Sequence, residues 1–343
     1  DVLEAITAMT GRPGVTGNET AVSEVVKEYY EAYADEIWVD RVGNTYARIG
    51  DRGPTLLVMA HMDEVGMMVN GIEENGMLRI CGVAGVDPRV LPGSEVVVHG
   101  SRPLPAVIGA LPPHLQSGGD QEKAYRIEEL ICDTGLCAAE VSEIVRVGDN
   151  VTFNLLPPMP LKNQRIAGKS LDDRACFAAL LGALELLKDR RLDVDLYVLG
   201  SVCEEVDSTG AVTAAYGVVP DLCAAVDVTH GDSPDAPKEK TFPLGKGPVI
   251  GVGPNCTRWM EQRMRRKAEE LGMAVQTEVM AGHSGTNGWP LQVSREGVAT
   301  AVLSLPLRYM HTPIEVISRR DLEDLARLLA AFVEGIGEEA ESR

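Results

Sequence analysis

The sequence predicts an α/β fold: a three-layer α/β/α domain interrupted by a small β-rich insert. Two observations carry this. Before residue 64 and after 163, amphipathic helical stretches alternate with short, fully apolar strand segments, the pattern of a sheet covered by helices on both faces. Between them, residues 65–162 change to short Val- and Ile-rich segments punctuated by Gly and Pro, the texture of a small β domain. A chain of 343 residues is long enough for two domains. Residues 1–64 and 163–343 are therefore expected to form one α/β domain, with 65–162 inserted into it.

Asn18 is expected to cap a first helix over Glu19–Ala34, because Val22, Val25, Val26, Tyr29 and Tyr33 recur at three-to-four spacing. Strand signals follow at Ile37–Asp40, Thr45–Ile49 and Thr55–Ala60. In the insert, Glu95–His99 and Ala106–Gly109 read as strands, and helical periodicity is confined to Lys123–Leu130 and Ala138–Val145. Beyond it, Asp173–Leu187 is helical and Val194–Val202 and Leu222–Val228 are strands. A helix at Thr257–Leu271, strands at Ala274–Met280 and Val298–Leu305, and a helix at Ser318–Ile336 complete the series. The last helix opens with Ser318-x-x-Asp321, a capping-box variant with Asp in the usual Glu place. A small β domain has sheet edges that must be covered, so the inserts of two subunits are expected to dock.

Thirty-two basic against 51 acidic residues leave a net charge of −19, a field that repels nucleic-acid phosphates and anionic membranes. No apolar run approaches the ~20 residues of a membrane span, and Asp1-Val2-Leu3-Glu4 lacks a signal-peptide layout. The seven cysteines are scattered, without CxxC or disulfide spacing. A cytoplasmic protein that binds neither nucleic acid nor membrane is the expectation.

Five segments place ionisable residues at or just beyond an apolar strand or at a helix start: His61-Met62-Asp63, Asp172-Asp173, Glu204-Glu205, Asp227 and His311. Ligands of open α/β sheets bind beyond the carboxyl ends of the strands. Several carboxylates gathered there need cations, and His with carboxylate suits Zn²⁺ or Co²⁺. Two metals account for the number of groups better than one. A bridging carboxylate, one His and one carboxylate at each metal, and a spare carboxylate as base would use His61, Asp172, Glu205, Asp227, His311 and Glu204. Asp63, two residues after His61 on an extended backbone, shares its face and can accept the free imidazole N–H. Pro112-Pro113-His114 adds a histidine outside any helix or strand pattern, a candidate contact to the site from the insert.

At these residues the sequence resembles the tetrahedral (TET) family of di-metal aminopeptidases, which includes glutamyl and deblocking enzymes and members also labelled cellulases. The matching stretches are Ala60-His-Met-Asp-Glu-Val-Gly66, Gly168-Lys-Ser-Leu-Asp-Asp-Arg174, Val202-Cys-Glu-Glu-Val206, Ala225-Val-Asp-Val-Thr229 and Arg308-Tyr-Met-His311, with Val107-Ile-Gly-Ala-Leu-Pro-Pro-His114 and Val147-Gly-Asp149 in the insert. They span nearly the whole chain in the family order. The resemblance implies a zinc-exopeptidase-like catalytic domain in which His61 and Asp227 hold one metal, Glu205 and His311 the other, and Asp172 bridges them. It gives Glu204 the role of general base and Asp63 that of orienting His61. It further implies that the insert drives dimerisation and that six dimers form a hollow dodecamer. One stretch departs: Gly285-Thr-Asn-Gly288 stands where the family usually has Gly-Thr-Asp-Ala, on the wall of the substrate pocket.

The activity expected is removal of N-terminal residues from short peptides, with Glu204 moving the proton of a metal-activated water. A glycosidase would need two carboxylates flanking a sugar in an aromatic-lined groove. Only 4% of the chain is aromatic, and the histidines would be idle. A non-catalytic assembly or peptide-binding protein of this fold would have lost a ligand or the base, and none is missing.

Overall fold

The computed structural model describes residues 2–115 and 124–343. A helix absent from the sequence expectation, Val2–Thr10, comes first, and Thr20–Tyr30 follows, ending at Tyr30 rather than Ala34. Asn18 does not cap it. Glu19 takes the position before the first turn, and its carboxylate accepts the backbone N–H groups of Gly17 and Cys203.

The strands, in chain order, begin with β1 (Glu36–Val39), β2 (Thr45–Ile49) and β3 (Thr55–His61). The insert contributes β4 (Gly66–Ile72), β5 (Leu78–Val83), β6 (Glu95–His99), β7 (Pro103–Gly109), β8 (Ile131–Asp133) and β9 (Asn150–Phe153). After it come β10 (Met159–Leu161), β11 (Arg165–Gly168), β12 (Asp195–Ser201) and β13 (Leu222–His230). β14 (Val249–Val252), β15 (Gln276–Val279), β16 (Ala299–Arg308) and β17 (Glu315–Ser318) complete the series.

Among the described residues, one eleven-stranded sheet runs β1-β2-β12-β3-β13-β16-β17-β11-β10, with β14 on β16 and β15 on β14. Its centre, β12-β3-β13-β16, is parallel. Helices cover both faces. Leu56, Val58 and Ala60 of β3 join Ile6, Leu180 and Leu325 from the helices on one side. Leu57 and Met59 pack with Ala211, Ala214 and Leu291 on the other. Burial on both faces is why β3 reads as an unbroken apolar run rather than an alternating one. Truncating one such side chain, as in Leu57→Ala, costs about 2–5 kcal/mol.

The insert's six strands close into a barrel, β4-β5-β8-β7-β6-β9 and back to β4. Alternate residues fill it: Met67 and Val69, Leu78 and Ile80, Val96 and Val98, Val151 and Phe153. Closure removes the sheet edges on which docking of two inserts was expected to rest. An open edge lies instead on the large sheet at β10, where Met159 and Leu161, with Leu156 before them, are exposed.

Three further differences have local causes. The helix expected over Lys123–Leu130 starts outside the described residues, and its described part makes one turn, Ile127–Glu129. Pro306 does not stop β16, which continues to Arg308 beside β13. Ser318 does cap the helix Arg319–Val333 by accepting the Asp321 N–H, but the Asp321 carboxylate accepts from Gly245 and Gly247 instead of returning the bond. Among the described residues, no helix is long and apolar enough to cross a membrane.

Candidate active site

Parallel pairing aims the carboxyl ends of the central strands to one side of the sheet. His61 ends β3 opposite Ser201, the last residue of β12. Glu204 and Glu205 open the short helix Glu204–Asp207 just beyond. Asp227 lies in β13, and His311 follows β16. Asp172 stands at the head of Leu171–Leu187, where the backbone at Asp172 and Asp173 is not helical.

Asp172 is the hub. Its Oδ1 lies 3.1 Å from His61 Nε2 and its Oδ2 3.4 Å from His311 Nε2. Glu205 Oε2 is 3.2 Å from the same His311 nitrogen, and Asp227 Oδ1 and Glu204 Oε2 are each 3.9 Å from His61 Nε2. Burial would raise the Asp172 carboxyl, but the imidazoles of His311 and His61 outweigh it and hold it well below the usual range. Burial, opposed by His61 and assisted by Glu205, pushes Glu204 up to about 7. Burial would lower His311; Asp172 and Glu205 overcome that and push it up to about 11.

The surrounding groups orient these side chains. His61 Nδ1 faces the Asp63 carbonyl at 3.1 Å and Asp63 Oδ1 at 3.4 Å, leaving Nε2 toward the cluster. The Asp63 carboxylate also accepts the backbone N–H groups of Glu204 and Glu205 and the Thr16 hydroxyl. His311 Nδ1 faces the carbonyl of Gly85, from the insert, at 3.0 Å. Three supporting groups have no role in the sequence expectation. Glu315 accepts the backbone N–H groups of His311 and Asp172, and Asp173 accepts that of His61. Behind them, Glu64 pairs with Lys169 at 2.5 Å and Arg174 at 3.2 Å, all fully buried. Burial would raise the Glu64 carboxyl; Arg174 and Lys169 overcome it and hold it below the ordinary value.

The cluster forms one end of a cavity of about 460 Å³, whose other walls are Val206, Asp207, Ser208, Val212, Val228, His283, Gly285, Thr286, Trp289, Pro290 and Met310. The His283 and Trp289 rings stack 4.1 Å apart. Asn287, where the family usually has Asp, is buried behind the wall rather than on it, donating to Ser201 Oγ at 3.0 Å. His114 is exposed in the turn Pro113–Leu115 and does not line this cavity.

Two donor sets share Asp172: His61 with Asp227, and Glu205 with His311, each set having its ligand atoms within 4.8 Å of one another. Glu205 Oε1 is buried without a hydrogen-bond partner. Imidazole and carboxylate donors suit Zn²⁺ or Co²⁺, and, among the described residues, no Lys or Arg enters the cavity to balance its carboxylates. The residues fit a pair of divalent cations.

The sheet, the inserted barrel and the cavity of carboxylates and histidines define the class, an α/β peptidase with an inserted β-barrel. The chain belongs to the M42 glutamyl aminopeptidase family, which it matches over residues 43–328. It is 35% identical over 329 residues to a lysyl aminopeptidase of Pyrococcus furiosus, covering 94% of each chain. An aminopeptidase from the archaeon Desulfurococcus kamchatkensis superposes at a TM-score of 0.92 with 33% identity, over 99% of this chain and 97% of that one. The TET1 peptidase of Pyrococcus horikoshii, which can assemble into a tetrahedron or a large octahedral shell, superposes at 0.87 with 30% identity, over 98% and 100%.

Proposed function

We propose that this chain is a metal-dependent aminopeptidase that removes the N-terminal residue from short peptides. The observation that carries the reading is the division of Asp172 between the two imidazoles, with a further carboxylate beside each. His61 and Asp227 would hold one divalent cation, Glu205 and His311 the other, with Asp172 between them. When bound, such ions polarise the scissile carbonyl and lower the pKa of the attacking water. Glu204, in neither donor set, takes the proton of that water and passes it to the leaving amine. Asp63 keeps the His61 ring turned toward Asp172 and ties down the backbone that presents Glu204.

A glycosidase groove would be lined with aromatic rings, and among the described residues Trp289 and His283 are the only non-ligand rings on this cavity. The test is an assay of free and N-acetylated peptides before and after chelation. Cleavage of the free peptide alone, lost with chelator and restored by Zn²⁺ or Co²⁺, is expected. Full activity of a preparation shown metal-free by elemental analysis would overturn the mechanism.

Self-association belongs to the same reading. Exposed Leu156, Met159 and Leu161 at the open edge of β10 offer an apolar contact, and a dimer is the minimum unit, with a dodecamer of six dimers as the larger particle. The charge of −19 per chain opposes assembly at low salt. Light scattering that gave a monomer mass across all salt and metal conditions would rule assembly out. In an assembled particle His114 would reach a neighbouring subunit's cavity, and a loss below twofold in kcat/KM for His114→Ala would remove it from the site. All seven cysteines are free, consistent with a reducing, cytoplasmic setting.

A further inference from the structure

The cavity lining has two unlike parts. One is the carboxylate and histidine cluster. The other is a wall in which Val206, Val212 and Trp289 remain exposed, 61%, 48% and 37%, beside Met310 and buried Pro290. In a chain with so high a charge, several large apolar side chains left open on one concave surface mark a contact surface for an apolar group.

We infer that this wall holds the side chain of the substrate's N-terminal residue and selects medium-sized apolar residues, leucine and methionine first, over acidic and basic ones. The inference rests on the aminopeptidase reading. An exopeptidase of this kind cuts one residue from the amino end. With the scissile bond at the carboxylate end, the N-terminal residue occupies the remainder of the cavity and the rest of the peptide leaves through its mouth.

Charge decides which side chains fit. Among the described residues, no Lys or Arg lines the cavity, so a glutamate or aspartate side chain would find the hydroxyls of Ser208 and Thr286 and the His283 ring but no lysine or arginine to set against Asp207 and the cluster carboxylates. A carboxylate removed from water without a cationic partner is strongly disfavoured. A lysine side chain has one anion available outside the cluster, Asp207, and that carboxylate is already engaged by the backbone N–H and hydroxyl of Thr209. Apolar side chains lose nothing by entering and gain contact with valine, methionine and indole carbons. One methylene in such a pocket is worth roughly 10–200-fold in kcat/KM, so leucine should also exceed alanine clearly.

The experiment is a panel of Leu, Met, Ala, Lys and Glu aminoacyl-coumarin substrates on the metal-loaded protein. Calorimetric binding of free L-leucine, L-lysine and L-glutamate runs in parallel. The expected result is kcat/KM for Leu and Met at least ~100-fold above Glu and ~10-fold above Lys and Ala, with leucine the tightest free ligand. Val212→Lys, on the exposed side of the helix Thr209–Val218, should raise Glu turnover at least ~10-fold while lowering Leu, because it supplies the missing cation. Asp207→Asn should lower Lys turnover by a larger factor than it changes Leu turnover. Glu or Lys as the best substrate, or equal binding of the three amino acids, overturns the inference. Turnover of none of the five, with leucine still bound over glutamate, supports the apolar pocket and removes the aminopeptidase reading instead.

Discussion

Glu315 holds His311 from behind: one carboxylate oxygen accepts the His311 backbone N–H at 2.9 Å, and the other accepts that of Asp172 at 3.1 Å. One buried side chain thereby ties together the chain segments that present a proposed bridging carboxylate and a proposed terminal ligand. Glu315→Gln keeps the shape but has one acceptor oxygen, and its NH₂ would face the other N–H donor. Metal affinity is expected to fall ~10–100-fold, the range for groups that orient ligands, with the circular dichroism spectrum unchanged. Calorimetric metal titration checks it, and affinity within twofold of the parent would deny Glu315 this role.

Gly85 offers a second way to move His311 without deleting it. Its carbonyl faces Nδ1 of the ring, and a Cβ at this position would come within 2.8 Å of that nitrogen. Gly85→Ala should therefore displace the imidazole, loosening the Glu205–His311 set and sparing the His61–Asp227 set. Elemental analysis after dialysis is expected to find one metal per chain rather than two. Two retained metals would mean that the ring accommodates the methyl group.

Both effects pass through residues that sequence reading overlooked, for a physical reason. His61, Glu204, Glu205, Asp227 and His311 stand out because each interrupts or follows an apolar run, and a charge there must face something. Glu315 opens a four-residue strand between Ile314 and Val316, too short a run to mark it as buried, and in a chain with 51 acids it looks like any surface glutamate. The Glu64–Lys169–Arg174 cluster joins residues more than a hundred positions apart, so only the folded chain pairs them. Barrel closure was hidden for the same reason. Alternation marks strands, whereas the β4–β9 pairing that closes the ring is a non-local event.

Glu204 and Glu205 are adjacent yet are assigned different tasks, and substitution separates them. Glu204→Gln removes a proton acceptor but no proposed ligand, so kcat should drop ~10²–10⁴-fold with two metals still bound. Glu205→Ala takes a carboxylate from the set shared with His311 and should lower metal content itself. Parallel kinetics and elemental analysis distinguish the cases. A Gln variant retaining more than about a tenth of kcat would exclude Glu204 as a positioned base.

The buried Glu64 predicts a pH signature in stability rather than activity. Its folded carboxyl lies below the ordinary value, because Arg174 and Lys169 overcome the penalty of burial. A carboxyl depressed in the folded state contributes stability that is fully present above the unfolded pKa of about 4.3 and is lost as pH falls through the folded pKa. Glu64→Gln leaves the ammonium of Lys169 and the guanidinium of Arg174 without their counter-charge, a loss of about 3–5 kcal/mol for breaking a buried pair. Urea unfolding should show the parent the more stable at pH 7 and at least as much so at pH 5, because burial already pulls Lys169 down to about 8 and the variant removes the carboxylate that helps it keep its proton. The gap should narrow only below about pH 4.3, as protonation of Glu64 makes the parent resemble the variant. A variant that was the more stable protein at pH 7 and lost that advantage toward pH 5 would place the folded pKa above the unfolded one and contradict the ion-pair account. A gap of constant size down to pH 3 would mean that the folded and unfolded pKa values are equal and would equally contradict the ion-pair account.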